Sequence, residues 1–161
     1  MTKKRKVLGF SLVVGLCAGA LALTKAEAAP ISSSGLICHA KNGSQNGDIT
    51  AVVNGVRNSN VNSRDVVCAV ERQPAAPTSS EQDFFVDGDN LNGKSTSCTI
   101  SSYEYNGGFL GSKSFTTNSV AYDVQLIMPL TMVTQYAYLS MTCTLPGSNN
   151  GTLRGVYTSD I

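Results

Sequence analysis

The only histidine in this 161-residue chain, His39, is the residue that a serine or cysteine hydrolase would need as its general base. It directly follows Cys38, which we expect to be engaged in a disulfide and therefore to be no nucleophile. The sequence also lacks the G-x-S-x-G turn that exposes the catalytic serine of many hydrolases. We therefore predict a structural histidine rather than a catalytic one.

The run DGDNLNG, which begins at Asp87, has the oxygen-rich composition of a calcium-binding loop. It is not an EF-hand, because the positions that need an oxygen ligand and a final glutamate hold Leu91 and Cys98. A looser calcium site made by Asp87, Asp89 and Asn92 is one interpretation of this run. A solvated loop that binds no metal is the interpretation that we favour.

Two acidic residues suggest glycoside hydrolysis, which needs a pair of carboxyl groups about 5–10 Å apart in a cleft. Glu104 and Asp123 are expected on neighbouring strands, which is one way to bring such a pair together. Nothing else in the sequence supports the pairing, so hydrolysis by Glu104, Asp123 or His39 is the least favoured function. We predict that the protein is not an enzyme and needs no cofactor.

Four tyrosines occur as two pairs in predicted strands: Tyr103, Tyr105, Tyr136 and Tyr138. Because side chains alternate along a strand, each pair lies on the face opposite the cysteine of its own strand, Cys98 or Cys143. If a Cys98–Cys143 bridge joins neighbouring strands, the tyrosines form one exposed platform that can stack on sugar rings or contact a protein. If the bridge crosses between sheets, no platform forms. A cross-strand aromatic ladder that only stabilises a sheet is the simpler interpretation.

The four cysteines outside the N-terminal segment predict two disulfides: Cys38–Cys68 and Cys98–Cys143. This sequential pairing is the one we favour among the three that four cysteines allow, because it closes modest loops between nearby strands. Zinc binding is the weaker alternative, since no C-x-x-C pair occurs and the chain has one histidine.

Short runs of β-branched and aromatic residues alternate with Gly, Asn and Ser clusters, which is the pattern of an all-β chain. We predict strands near 35–40, 49–56, 65–71, 83–87, 97–105, 109–115, 119–128, 134–144 and 152–158. Asn-Gly pairs mark the turns, and the proline-containing segment 72–82 is predicted to be a longer loop. The predicted fold is an antiparallel β-sandwich of jelly-roll or Greek-key type.

Residues 1–28 have the layout of a secretory signal peptide, with a basic cluster, an apolar run and an A-x-A site that ends at Ala28. The apolar run approaches the length of a membrane anchor, but the A-x-A site and Pro30 favour cleavage. Residues 29–161 then form one predicted domain of ordinary size.

Cleavage changes the sign of the net charge. The leader contains five of the 12 Lys and Arg residues and one of the 11 acidic residues, so the mature chain has seven basic and ten acidic residues. The net charge of +1 for the full chain thus becomes about −3 on processing. No basic patch exists for nucleic-acid binding, and nucleic acid is excluded as a partner.

Three cysteine-containing segments resemble an uncharacterised family of small exported bacterial proteins with four cysteines and a β-sandwich fold. They are VVCAVER at 66–72, SCTI at 97–100 and YLSMTCTLP at 138–146, and the polar Asn/Gly stretch after Cys38 also fits. Ala69 departs from the family, whose members often have proline there. The resemblance implies a fold and an export route, but no chemistry.

We therefore expect a secreted or periplasmic, non-enzymatic protein that binds a carbohydrate or a protein ligand, with no membrane span after cleavage. The alternative is a structural or assembly component of the cell envelope or extracellular matrix. Self-association through the tyrosine face would favour this alternative. A monomer at high concentration would count against it.

Overall fold

The computed structural model describes residues 31–71 and 81–160, most of which belong to eleven β-strands. In chain order these are β1 (Ile31–Ser34), β2 (His39–Ala40), β3 (Ile49–Val52), β4 (Gly55–Asn58), β5 (Arg64–Val70), β6 (Glu81–Asn90), β7 (Thr96–Tyr103), β8 (Phe109–Thr117), β9 (Ala121–Pro129), β10 (Tyr138–Leu145) and β11 (Gly151–Asp160). Short 3-10 turns at Gly35–Ile37 and Gly43–Asp48 join β1 to β2 and β2 to β3. In these two described ranges no helix is long and apolar enough to cross a membrane.

The strands form two antiparallel sheets. Sheet A has the order β3-β4-β11-β6-β9, and β1 joins it by pairing with β11. Sheet B has the order β2-β5-β10-β7-β8. Successive strands lie in opposite sheets except in the β3–β4 and β7–β8 hairpins. The predicted class, an antiparallel sandwich with jelly-roll or Greek-key connections, is confirmed.

The core lies between the sheets and follows from period-two alternation in the long strands. Phe84 and Val86 on β6 face Ile100 on β7 and Met141 on β10, and each of these side chains is fully buried. Burying a side chain of this size contributes roughly 1.5–3 kcal/mol relative to leaving it exposed. Because the inward positions are apolar, the residues between them must face solvent.

Both disulfides lie within sheet B and join neighbouring strands. Cys98 on β7 is directly opposite Cys143 on β10. Cys38 precedes β2, whose register with β5 places it opposite Cys68. All four sulfurs belong to buried residues of the core, and the pairing is the sequential one expected from the sequence.

Several predicted strand boundaries are wrong, because a run of apolar or hydroxyl residues does not mark where the chain turns. The predicted strand 35–40 is a 3-10 turn followed by the two-residue β2. The predicted strand 49–56 is the first part of the β3–β4 hairpin, which turns at Val53 and Asn54. Strand β6 is longer than predicted and includes the last two residues of the predicted loop 72–82.

Replacing Cys98 and Cys143 together by alanine should lower the free energy of unfolding by roughly 4 kcal/mol, because the bridge closes a loop between residues 45 apart in sequence. Urea unfolding of the oxidised protein and of the double variant measures the difference. The matched variant, Cys38 and Cys68 to alanine, should lose a similar amount. A loss below about 1 kcal/mol in the first variant would contradict this role of the bridge.

Candidate functional site

Three aromatic rings are in contact on the outer face of sheet B, and we call them the aromatic cluster: Tyr103, Phe109 and Tyr138. Tyr103 lies opposite Tyr138, and their ring centroids are 5.4 Å apart with an interplanar angle of 17°. Phe109 lies opposite Tyr103 on the other side and meets it edge-on at 5.6 Å. Tyr138 is 51% exposed and Phe109 is 63% exposed. The cluster is therefore a solvent-facing surface that crosses β10, β7 and β8.

The spacing from the cysteines explains why this cluster faces outward. Tyr103 is five residues after Cys98, and Tyr138 is five residues before Cys143. An odd spacing along a strand reverses the face, so inward cysteines require outward tyrosines. The bridge joins neighbouring strands, which is the arrangement under which the sequence predicted a platform.

The other two predicted tyrosines lie in turns at the same end of sheet B. Tyr105 is in the β7–β8 turn, which is closed by a hydrogen bond from the Glu104 N–H to the Gly108 carbonyl at 2.7 Å. Tyr136 is in the turn before β10. They are 80% and 71% exposed, respectively. They flank the aromatic cluster. Within the described ranges, neither ring contacts another aromatic ring.

Hydroxyl side chains cover the outer face of sheet B next to the cluster. The outward positions of β7, β8 and β10 carry Ser97, Thr99, Ser101, Ser112, Ser114, Thr116, Ser140, Thr142 and Thr144. Some pair across strands, as between Thr99 and Ser114 at 2.9 Å. The structure describes β5, β7, β8 and β10 in full. Among the outward positions of these strands, Asp65 is the one charged residue, and it lies far from the tyrosines. The strand positions beside the cluster are thus polar and able to donate and accept hydrogen bonds.

The three proposed calcium ligands lie in two different local settings. Asp87 and Asp89 lie on β6 rather than in a loop, and Asp89 forms an ion pair with Arg154 at 2.8 Å. Asn92 is in the following turn with a φ of 53°, and its side-chain amide donates to Asn150 Oδ1 at 2.7 Å. Over the described ranges, no group of three or more His, Cys, Asp or Glu residues is placed to hold a metal ion.

Asp87 instead lies opposite Asp123 of β9 on the outer face of sheet A. Burial, followed by the neighbouring Asp123 carboxylate, raises the pKa of Asp87 above its ordinary value, whereas the Arg154 charge lowers it. Like charges directly opposite each other on two strands destabilise a sheet. This carboxyl pair therefore destabilises the fold locally at neutral pH.

The expectation that Glu104 and Asp123 lie on neighbouring strands is wrong. Glu104 follows β7 at the end of sheet B, whereas Asp123 faces outward from sheet A, because the chain changes sheets between β8 and β9. His39 is exposed on β2, at the edge of sheet B. The three residues proposed for hydrolysis are thus distributed over two sheets.

Sequence reasoning missed two residues of the exposed sheet faces, Phe109 on sheet B and Arg154 on sheet A. Phe109 was within a predicted strand, but its contact with Tyr103 depends on a register shift after Ser102 that no local pattern signals. Arg154 was not singled out, and its exposure beside Asp89 results from an irregularity in β11. The Asn-Gly-Gly turn after Tyr105 was the available signal that β8 returns alongside β7.

No protein-family profile matches the sequence, and no curated protein matches it. A CBM36 domain of a multidomain xylanase from the hindgut metagenome of Trinervitermes trinervoides aligns with a TM-score of 0.49 and 10% identity, covering 83% of this chain and 98% of that chain. The xylan-binding module CBM15 aligns with a TM-score of 0.41 and 10% identity, covering 81% and 97%.

An exo-β-1,3-galactanase from Phanerochaete chrysosporium aligns with a TM-score of 0.48 and 13% identity, covering 81% of this chain but only 29% of the enzyme. Similarities of this size assign no function to the chain. The resemblance to small exported four-cysteine proteins also stays a prediction.

The two disulfides fit an extracellular or periplasmic environment, where thiols are oxidised. The predicted signal peptide, residues 1–28, lies outside the described residues and stays a prediction. So does the assignment of residues 29–161 to a single domain.

Replacing Asp87 by asparagine should stabilise the protein at pH 7 by up to about 1 kcal/mol, the scale of one cross-strand pair. A carboxyl group with a raised pKa in the folded state costs stability once it is ionised, and the substitution removes that cost. The gain should therefore disappear below about pH 4, where Asp87 is protonated in both the folded and the unfolded chain.

Urea unfolding at pH 7 and pH 3 measures this difference. The control is Asp65→Asn on sheet B, where the carboxylate accepts a hydrogen bond from Thr144 at 2.6 Å and no gain is expected. A gain for Asp87→Asn that is the same at both pH values would show that electrostatic strain is not its cause.

Proposed function

We propose that this protein is an exported, non-enzymatic carbohydrate-binding module and that the aromatic cluster is its binding surface. The observation that carries the proposal is the contact of three rings on an outer sheet face bordered by hydroxyl groups: the exposed Phe109 and Tyr138, with the partly buried Tyr103 between them. Exposed aromatic patches that border polar groups are typical of interaction sites.

The chemistry of this face is complementary to that of a sugar. A pyranose has an apolar face of C–H groups that packs on an aromatic ring and a rim of hydroxyls that needs hydrogen-bond partners. Tyr138 offers half of its surface to solvent, and Tyr103 on the neighbouring strand stacks against its ring. Ser101 and Ser140 lie in the adjacent row of the sheet and supply hydroxyl groups beside the rings.

The roles of the two tyrosines differ in this proposal. Tyr103 lies between Tyr138 and Phe109 and is covered on both sides, so it acts as a positioning residue. Tyr138 and Phe109 are more exposed and make the contacts with the sugar. Neither role requires ionisation or a nucleophile, which agrees with a binding function rather than a catalytic one.

Tyr138→Ala should weaken glycan binding at least about tenfold, because about 1.4 kcal/mol of stacking energy is lost with the ring. Tyr138→Phe should stay within about threefold of the original affinity, since it keeps the ring. Ligands are first found by applying the oxidised protein to a broad glycan array with calcium or with a chelator. Affinities of the selected oligosaccharide are then measured by calorimetry.

The matched control is Ile127→Ala, which removes an exposed apolar side chain from the outer face of sheet A and should leave the affinity unchanged. Thermal unfolding shows whether Tyr138→Ala remains folded, and the expected cost is no more than about 1 kcal/mol. A blank array, or an unchanged affinity in Tyr138→Ala, would overturn the carbohydrate proposal.

The same rings would also suit contact between copies of the chain, which is the alternative of a structural or assembly component. Sedimentation of the protein across a wide concentration range separates the two functions. Self-association that is lost in Tyr138→Ala, together with a blank array, would favour assembly. A monomer at every concentration would count against it.

A further inference from the structure

The outer face of sheet A contains an open groove of about 710 Å³, on the side of the molecule opposite the aromatic cluster. The groove follows a row of directly paired positions, Ser34, Gly155, Asp87 and Asp123, across β1, β11, β6 and β9. Gly155 has no side chain, and in the middle of this row the backbone of β1 lies close against β11 instead. A Cβ there would lie 2.7 Å from the Ser33 carbonyl oxygen, so the close approach of β1 excludes other residues.

A bulge in β11 forms one side of the groove. The register with β6 passes from Leu153 opposite Gly88 to Gly155 opposite Asp87, so Arg154 is the extra residue. A bulge changes the direction of its side chain, and here Arg154 reaches Asp89, with which it forms an ion pair at 2.8 Å. The guanidinium is therefore already partnered at the edge of the groove.

An aromatic ring forms the other side. Tyr157 lines the groove two residues after Gly155 and faces outward in the next row. Phe85 on the neighbouring strand β6 contacts the Tyr157 ring edge-on, with 5.6 Å between the ring centroids. The ring thus has a fixed neighbour and presents apolar surface to the groove.

The floor of the groove has an excess of negative charge, which the Arg154 charge offsets only in part. Asp87 and Asp123 lie opposite each other, and the raised pKa of Asp87 shows that burial and its neighbour oppose its ionisation. Among the groove-lining residues Arg154 is the cation, and its partner is Asp89 rather than this pair. A ligand with a positive charge at this point would relieve the repulsion, and one with a negative charge would increase it.

We propose that the groove is a second carbohydrate site, selective for a chain of amino sugars. A protonated sugar amine lies between Asp87 and Asp123, where it makes charge-assisted hydrogen bonds, and the face of the same or the adjacent sugar ring packs on Tyr157. Gly155 lines the groove without projecting a side chain into it, and Ser34 provides a hydroxyl on the far side. Because the aromatic cluster is on the other sheet, a protein with both sites could link two glycan chains.

The test uses three β-1,4-linked hexasaccharides that differ at carbon 2: the glucosamine hexamer, the N-acetylglucosamine hexamer and cellohexaose. Calorimetry is carried out at pH 6 on the full oxidised protein with Tyr138→Ala, so that the aromatic cluster does not contribute. The glucosamine hexamer should bind, and the other two should bind at least about tenfold more weakly, because they lack the charge. Amide chemical-shift changes on binding should centre on Gly155, Ala121 and Asp123.

Adding Asp87→Asn and Asp123→Asn to this protein should weaken binding of the glucosamine hexamer at least about tenfold. These substitutions remove a repulsion, so the fold should be retained. The matched control, Asp65→Asn, removes one carboxylate from the other sheet and should leave binding unchanged.

The proposal is overturned if the glucosamine hexamer does not bind, if cellohexaose binds equally well, or if Asp65→Asn weakens binding as much as the groove substitutions do. The last result would indicate attraction to the overall negative charge rather than to the groove. These outcomes are independent of the aromatic cluster, whose failure would appear as an unchanged affinity in Tyr138→Ala with the array-selected glycan.

Discussion

The register between β7 and β10 is the constraint on which the exposed chemistry of sheet B depends, and the Cys98–Cys143 disulfide holds it. A slip of one residue would turn every side chain of a strand to the other face. It would move Tyr103 or Tyr138 into the core and expose a cysteine. Because β5 and β8 pair with the outer edges of these two strands, the same register also sets the hydroxyl rows and the place of Phe109.

The outer face of sheet A is shaped by a different feature. Its central strand β11 has an extra residue, Arg154, followed by a glycine that β1 approaches too closely for any side chain. The bulge and this glycine both line a groove along a row of outward positions. The outer faces consequently differ: sheet B presents rings and hydroxyls, whereas sheet A presents the carboxyl pair and an ion pair. The ligands proposed for the two faces accordingly differ in charge.

Parts of the candidate sites could be predicted because they depend on alternation within one strand. The outward direction of Tyr103 and Tyr138 follows from their odd spacing to cysteines that must be buried. The contacts of Phe109 and Arg154 could not be predicted, since each depends on a local shift in register. The pairing of Asp87 with Asp123 was also missed, because it joins strands separated by a hairpin that belongs to the other sheet.

By itself the sequence determined the all-β class, the number of bridges and which face of the long strands is apolar, since all of these follow from composition and from spacing within short segments. Only the tertiary structure decided which strands are neighbours. Strand pairing in a jelly roll joins segments far apart in the chain, and local residue patterns do not encode the partner. That is why Glu104 and Asp123 were expected together and lie on different sheets, whereas Asp87 and Asp123 form the pair.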